Sequence, residues 1–511
     1  MSAARSRRAL PALLFALGLF ALYLGALRTG FLNDYYLFLE QARRADLPGS
    51  LIRLDALGNY WRPLSRQIYF AALTPLSHGA PGLFHAVNFA LFLAALALLA
   101  DLLFAVAAPV GAIAGLLYFA TLPFQRVAML WISCSQDLVA LAFGLAALAL
   151  YRRARFAGAT CLLLGAFAGK EAALPLPLAF AGWDFWIARR PIRESLRRAA
   201  PFAGLALAWG IVSVAISLRG AGARWLHFDP ASFAAAYLHE AQSLIGLDHP
   251  AGFLAGLAER GPNLAALLPL SAIAWFVPPE SAAFARVPHR AVAAFAITWL
   301  LALGVVVGPV AAEWSSYYFM LSAVGASVLV ALATRNLGRW GWPALVGALL
   351  WWHAGSTGSP AFAVEENRWG WTSHLTSYYF ERAAAITDTL SRQLRSLDPT
   401  PPRGARLFFA TLPPWAGFQM GNGALVRHLY RDPSIESWFY SQYSESTAAD
   451  RPCRFFWWDG RALQPLYRGL RDPSFQVGAD LLLLDRPAGA AHAFRRGLVA
   501  GGDRADLLYW L

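Results

Sequence analysis

The residues able to do chemistry in this chain are few, and they sit at the ends of apolar runs. The first is Asp34, in Phe31-Leu32-Asn33-Asp34-Tyr35-Tyr36, just after the apolar run Ala9 to Leu27. A run of that length crosses a bilayer as a helix. Arg5, Arg7 and Arg8 precede it, and basic flanks stay cytoplasmic, so Asp34 is expected to emerge at the outer membrane face. A carboxylate there is placed to act on a substrate whose lipid tail lies in the outer leaflet. Read by itself, Asp34 is more simply a solvated interfacial residue or a helix N-cap.

The other polar outliers are Arg62, His85, Arg126, Gln136 with Asp137, Lys170 with Glu171, and Glu313. On the topology set out below, all of them fall at the outer ends of spans or in outer loops. Ionisable groups at membrane depth are expensive and tend to mark sites, so their convergence on one face argues for a site there. Plainer readings stay open for single members. Lys170 and Glu171 could satisfy each other at a helical hairpin, and Arg62, in Tyr60-Trp61-Arg62-Pro63, could snorkel at the interface. Asp101 and Asp184 lie towards inner ends and fall outside the set.

Composition fixes the class of protein that must position these groups. Of 511 residues, 58% are hydrophobic and only 14% charged, and the mean hydropathy is +0.44. A soluble chain is nearer a quarter charged, so this is read as a polytopic membrane protein. The net charge of +13 comes from arginines clustered between apolar runs, as in cytoplasmic loops facing anionic lipid; nucleic acid is not an expected partner. Cys134, Cys161 and Cys453 imply no disulfide framework. No small-residue cleavage site precedes Arg28-Thr29, so the first run is read as a retained signal anchor.

Further apolar runs cover His85 to Ala108, Val110 to Thr121, Leu138 to Leu150, Ala157 to Ala168, a run continuing to Ile187, Pro201 to Leu218, Leu264 to Val277, Ala291 to Val307, Tyr317 to Ala333 and Trp342 to His353. Basic clusters at Arg152-Arg153, Arg189 to Arg198, Arg286 to Arg290 and Arg335 to Arg339 alternate with them as inner loops. The expected fold is therefore all-α and polytopic, with about eleven transmembrane helices and a cytoplasmic N-terminus in the inner (plasma) membrane. Residues 1–354 form the membrane domain, including an amphipathic first outer loop over 29–84. Residues 355–511, rich in Asp, Arg, Pro and aromatics, read as a small extracytoplasmic α/β domain. In it Leu407 to Ala410 and Leu481 to Leu484 are expected strands and Ala383 to Leu397 an amphipathic helix.

Several of these segments resemble a known family. Asn33-Asp34-Tyr35-Tyr36, Tyr60-Trp61-Arg62-Pro63-Leu64 and Phe84-His85-Ala86-Val87-Asn88 are similar to the first-loop and second-span motifs of the GT-C glycosyltransferases. The likeness continues in order through Trp131 to Leu138, Gly169-Lys170-Glu171 and Ala312 to Tyr318, over roughly Leu10 to Ala331. It resembles most the protein O-mannosyltransferases and the tetratricopeptide-bearing transmembrane O-mannosyltransferases, without the repeats. The resemblance implies a polyprenyl-phosphate-linked sugar as donor, an extracytoplasmic protein or cell-envelope glycan as acceptor, and inversion at the sugar. It makes Asp34 the general base, and Arg62, Arg126 and Lys170 the holders of the leaving phosphate. Glu171 would orient Lys170, while His85, Gln136, Asp137, Glu313 and Tyr317 would orient substrate or line its groove. Tyr35 stands where members often carry a second acid, Gln136 where a basic residue is frequent, and Trp314 where an arginine is frequent.

A competing reading, from another class, is a non-catalytic or transport-type membrane protein of envelope glycan assembly. Transporters often show paired broken helices in two similar halves, and no such internal repeat is visible in the sequence. No obligatory metal or other cofactor is expected: Asp34 lacks an adjacent carboxylate, and His227, His239 and His249 lack ligand spacing.

Overall fold

The computed structural model describes residues 2–43, 46–54, 57–58, 60–219, 226–246, 287–334, 349, 375–412, 420, 423–467, 470, 472–501 and 508. They form two compact units, Met1–Thr29 with Gln41–Glu381, and Gly30–Glu40 with Arg382–Leu511. The chain is mostly helical, with a small mixed sheet. Among the described residues, four stretches are long and apolar enough to cross a membrane: Gly82–Val106, Ile132–Arg152, Ile192–Ser217 and His289–Glu313. The expected run Leu264 to Val277, all of the run Trp342 to His353 except Leu349, and the boundary at 354/355 lie outside the described residues.

In the first unit the described α-helices longer than one turn are α1 (Ser2–Leu27), α2 (Tyr35–Arg43, whose last residues belong here), α3 (Tyr69–Leu76), α4 (Gly82–Val106), α5 (Pro109–Thr121), α6 (Gln125–Leu130), α7 (Ser135–Arg152), α8 (Phe156–Gly169), α9 (Leu176–Gly182), α10 (Ile192–Ser217), α11 (Pro230–Leu244), α12 (His289–Gly304) and α13 (Ala323–Ala333). Their apolar faces leave backbone approach as the way to pack, and small residues permit it. A Cβ at Gly111 or Gly115 of α5 would collide with the carbonyl of Ala331 or Ser327 of α13, so those two helices cross in backbone contact. Helices α7 and α8 form an antiparallel hairpin. At its far end Gly169 sits against Val139 and the Ala140 backbone, 2.8 and 3.1 Å from where a Cβ would lie.

Two acids outside the expected site are paired with arginines of the basic clusters. Asp101 receives Arg152 at 3.1 Å and Arg153 at 2.9 Å. Asp184 receives Arg198 at 2.7 Å and the Tyr151 hydroxyl at 2.6 Å. The stretch from Arg219 onwards, expected as an outer loop, contains α11, opened by Asp229 capping the Ser232 amide at 2.9 Å.

Helix α14 (Ser377–Leu397) starts in the first unit and passes into the second at Glu381/Arg382. The second unit then adds β1 (Arg406–Ala410), α15 (Ala424–Tyr430), β2 (Glu436–Phe439), β3 (Cys453–Trp458), β4 (Leu463–Pro465), α16 (Ser474–Leu483) and α17 (Pro487–Val499). The sheet order is β2-β1-β3-β4; β1 runs parallel to β2 and β3, and β4 is antiparallel to β3. Phe408, Tyr443, Phe455, Leu481 and Phe494 share its core.

The expected strand at Leu481 to Leu484 is instead the end of helix α16. A four-residue apolar run does not distinguish strand from buried helix. Here Gly478 lets the Phe494 ring of α17 lie directly on α16, so a helical pair buries the run. The segment Gly30–Glu40 joins this unit rather than the membrane helices. The rings of Phe31 and Tyr36 meet His428 edge-on at 5.6 and 5.4 Å, and Arg427 binds Glu40 at 2.8 Å.

Candidate functional site

A buried charged cluster lies in the first unit, where α7 begins and α8 ends. This is the opposite end of the α7–α8 hairpin from the basic turn Arg152-Arg153-Ala154-Arg155. Helix α8 stops at Gly169, and Lys170 is extended (φ −161°, ψ 140°). In extended backbone, neighbouring side chains diverge. Lys170 accordingly turns to Asp137, Nζ to Oδ1 at 2.6 Å, and Glu171 turns to Arg62, whose Nε donates to Oε2 at 2.8 Å and whose NH2 donates to Oε1. The expected Lys170–Glu171 partnership is thus replaced by two crossed pairs.

Arg62 precedes Pro63, which holds it out of the helical region (φ −132°, ψ 68°) and opens a π-helical turn, Pro63–Ile68. Arg66, four residues on, faces the same side; both guanidinium groups donate to Gln136 Oε1, Arg66 at 3.0 Å. The neighbouring Ser65 hydroxyl donates to the Gly169 carbonyl at 2.6 Å, tying this turn to the end of α8. Lys170 is 5% exposed and Asp137 fully buried, whereas the Glu171 side chain is 36% exposed and forms the accessible edge. Burial works against the Glu171 carboxylate, but the charge and hydrogen bonds of Arg62, with Lys170 behind, hold its pKa down at about 2. The Lys170 ammonium also lies 4.9 Å from the Tyr318 ring centre and 5.4 Å from that of Tyr317.

Of the sequence-expected residues, Arg62, Gln136, Asp137, Lys170, Glu171 and Tyr317 come together here. Arg126 instead donates to Glu381 at 2.6 Å, and His85 Nε2 lies 2.9 Å from the Thr29 carbonyl. Glu313 is half-buried where its helical stretch ends, and the next residue, Trp314, stacks on His239 at 4.2 Å with planes 6° apart. Asp34 belongs to the second unit. Its carbonyl accepts from Leu37 and Phe38 at 3.1 Å, so it takes the N-cap position of α2, and it is 5% exposed.

Arg66 and Tyr318 were not singled out from sequence. Arg66 lies in a segment that reads as interfacial, yet its spacing of four from Arg62 was a usable signal. The cluster sets three cations, Arg62, Arg66 and Lys170, against two carboxylates, Asp137 and Glu171. The excess of one positive charge suits a singly charged anion. Among the described residues no three His, Cys, Asp or Glu side chains are grouped to hold a metal ion. No family model, curated protein or solved structure matches the chain.

Proposed function

We propose that the chain is an integral membrane glycosyltransferase that moves a sugar from a polyprenyl-phosphate donor to an extracytoplasmic acceptor. The observation that carries the reading is the buried cationic excess of Arg62, Arg66 and Lys170 at one end of apolar helices, open to solvent at Glu171. A lipid phosphate is the anion that a membrane interior of this kind would meet. The positive-inside rule makes the basic turn at Arg152-Arg153 cytoplasmic, and so turns the cluster outward.

In this reaction the acceptor hydroxyl oxygen attacks the anomeric carbon, the bond from that carbon to the phosphate oxygen breaks, and the electron pair leaves with the phosphate. Arg62 and Lys170 stabilise the leaving charge, with Arg66 and Gln136 fixing Arg62 in place. The resemblance to the GT-C enzymes gives Asp34, in the second unit, the role of taking the hydroxyl proton, with inversion at the sugar. The order of Asn33-Asp34, Trp61-Arg62-Pro63 and Gly169-Lys170-Glu171 along the chain supports the reading through its resemblance to the GT-C enzymes.

The test is transfer of radiolabelled sugar from synthetic polyprenyl-phosphate sugars by purified protein, with membranes of cells lacking the protein as acceptor. The reading expects labelled glycan with wild type and almost none with Lys170→Met. Donor binding without transfer, in every donor and acceptor combination, would favour a non-catalytic carrier of the same lipid.

A further inference from the structure

A cavity of about 600 Å³ opens in the second unit, where β3 begins and β4 ends. Asp34 is not among its lining residues, and neither is any member of the cationic cluster. Its polar wall carries two guanidinium groups, Arg454 and Arg496, and two carboxylates, Asp398 and Asp472. Two of the four are already engaged. Arg496 donates to Cys453 Sγ at 3.1 Å and to the Arg451 carbonyl, and Asp472 Oδ1 accepts from the Ser474 amide and hydroxyl at 3.1 and 2.6 Å.

The other two face each other across a gap. Arg454 Nε is 3.6 Å from Asp398 Oδ2, beyond hydrogen-bonding distance. Oδ2 is buried, and among the described residues no group donates to it. Arg454 NH1 has a long 3.4 Å contact with the Cys453 carbonyl. A buried carboxylate oxygen without a donor is costly, and burial also pushes the Asp398 carboxyl up, against the pull of Arg454.

The charge pattern sorts the ligand classes. An anion meets Asp398 and Asp472, a cation meets Arg454 and Arg496, and an apolar ligand leaves Oδ2 unsatisfied. A hydroxyl does what each of these fails to do: it donates to the carboxylate and accepts from the guanidinium at the same time. The wall also holds the aromatic rings of Tyr443 and Tyr467 and apolar residues such as Phe456 and Leu466, which suit the C–H face of a ring. We propose that this cavity is a saccharide site in which a ring hydroxyl bridges Asp398 and Arg454. Its size lies within the range of small-ligand pockets. The site stands apart from the transfer reading, since a chain that failed to transfer sugar would still bind one here.

The test is saturation-transfer-difference NMR on the full chain in detergent, with the methyl glycosides of mannose, glucose, galactose and N-acetylglucosamine as probes. At least one glycoside is expected to receive magnetisation on its ring protons. Its affinity should fall about tenfold or more in Asp398→Ala and in Arg454→Ala. Leu470→Trp, at a lining position that is 46% exposed, should block the cavity without touching the charged pair. Lys170→Met should leave binding unchanged, which separates this site from the donor site. Thermal unfolding confirms that each variant is folded. Absence of signal for all four glycosides, or binding insensitive to Leu470→Trp, would overturn the proposal, as would loss of binding in Lys170→Met alone.

Discussion

At the scale of residues, the buried Lys170–Asp137 pair is the most exposed to test by mutation. Removing one partner of a buried pair strands the other charge, at a cost of about 3–5 kcal/mol, whereas removing both is far milder. Lys170→Met should therefore lower the thermal stability of the purified chain more than Lys170→Met with Asp137→Leu does, although it is the smaller change. Equal stabilities of the single and double variants would mean that the 2.6 Å contact carries little. The members of this cluster were legible because charge is rare in so apolar a chain. Their pairing was not. It depends on the extended backbone at Lys170, which sends adjacent side chains to different partners, and no residue type announces that conformation. Arg126 and His85 share the cluster's sequence signature, but their bonds to Glu381 and Thr29 could be known only from the fold.

At the scale of elements, five long apolar runs gave α4, α5, α7, α8 and α12 to within three residues at each end, because apolar length alone sets them, whereas α1 and α10 begin several residues before their runs. The failures came where two constraints compete. Leu481 to Leu484 is short enough to satisfy strand or helix, and packing against Phe494 decides. Helix α11 was hidden in a stretch of mixed polarity. Its Glu240 is buried, accepts a hydrogen bond from Ser322, and is pushed up to about 7 by desolvation, from an ordinary 4.5. The native state thus keeps a proton that the unfolded chain has released, so stability contributed by neutral Glu240 is lost as pH rises from about 4.5 through 7. Thermal unfolding of wild type minus that of Glu240→Gln should show this slope, with the wild type losing ground as pH rises. A difference that stays flat across that range would show that Glu240 does not titrate there.

At the scale of the whole molecule, an outward-facing cluster requires an inside N-terminus and an outside C-terminal part. A cysteine introduced at Ser391 should react with an impermeant reagent added to intact cells, and one at Glu194 should not; the reverse pattern would turn the cationic cluster to the wrong side. The division into units was only partly legible, since the segment holding Asp34 is held by His428 and Arg427, almost four hundred positions away in sequence. General-base action by Asp34 is tested by measuring sugar transfer and thermal stability on the same purified Asp34→Asn protein. General-base catalysis contributes on the order of a hundred- to ten-thousand-fold, so transfer should fall by that factor while stability holds and Tyr35→Phe stays mild. Normal turnover per folded molecule would contradict general-base action and leave Asp34 as the N-cap of α2 alone, a position that asparagine fills about as well.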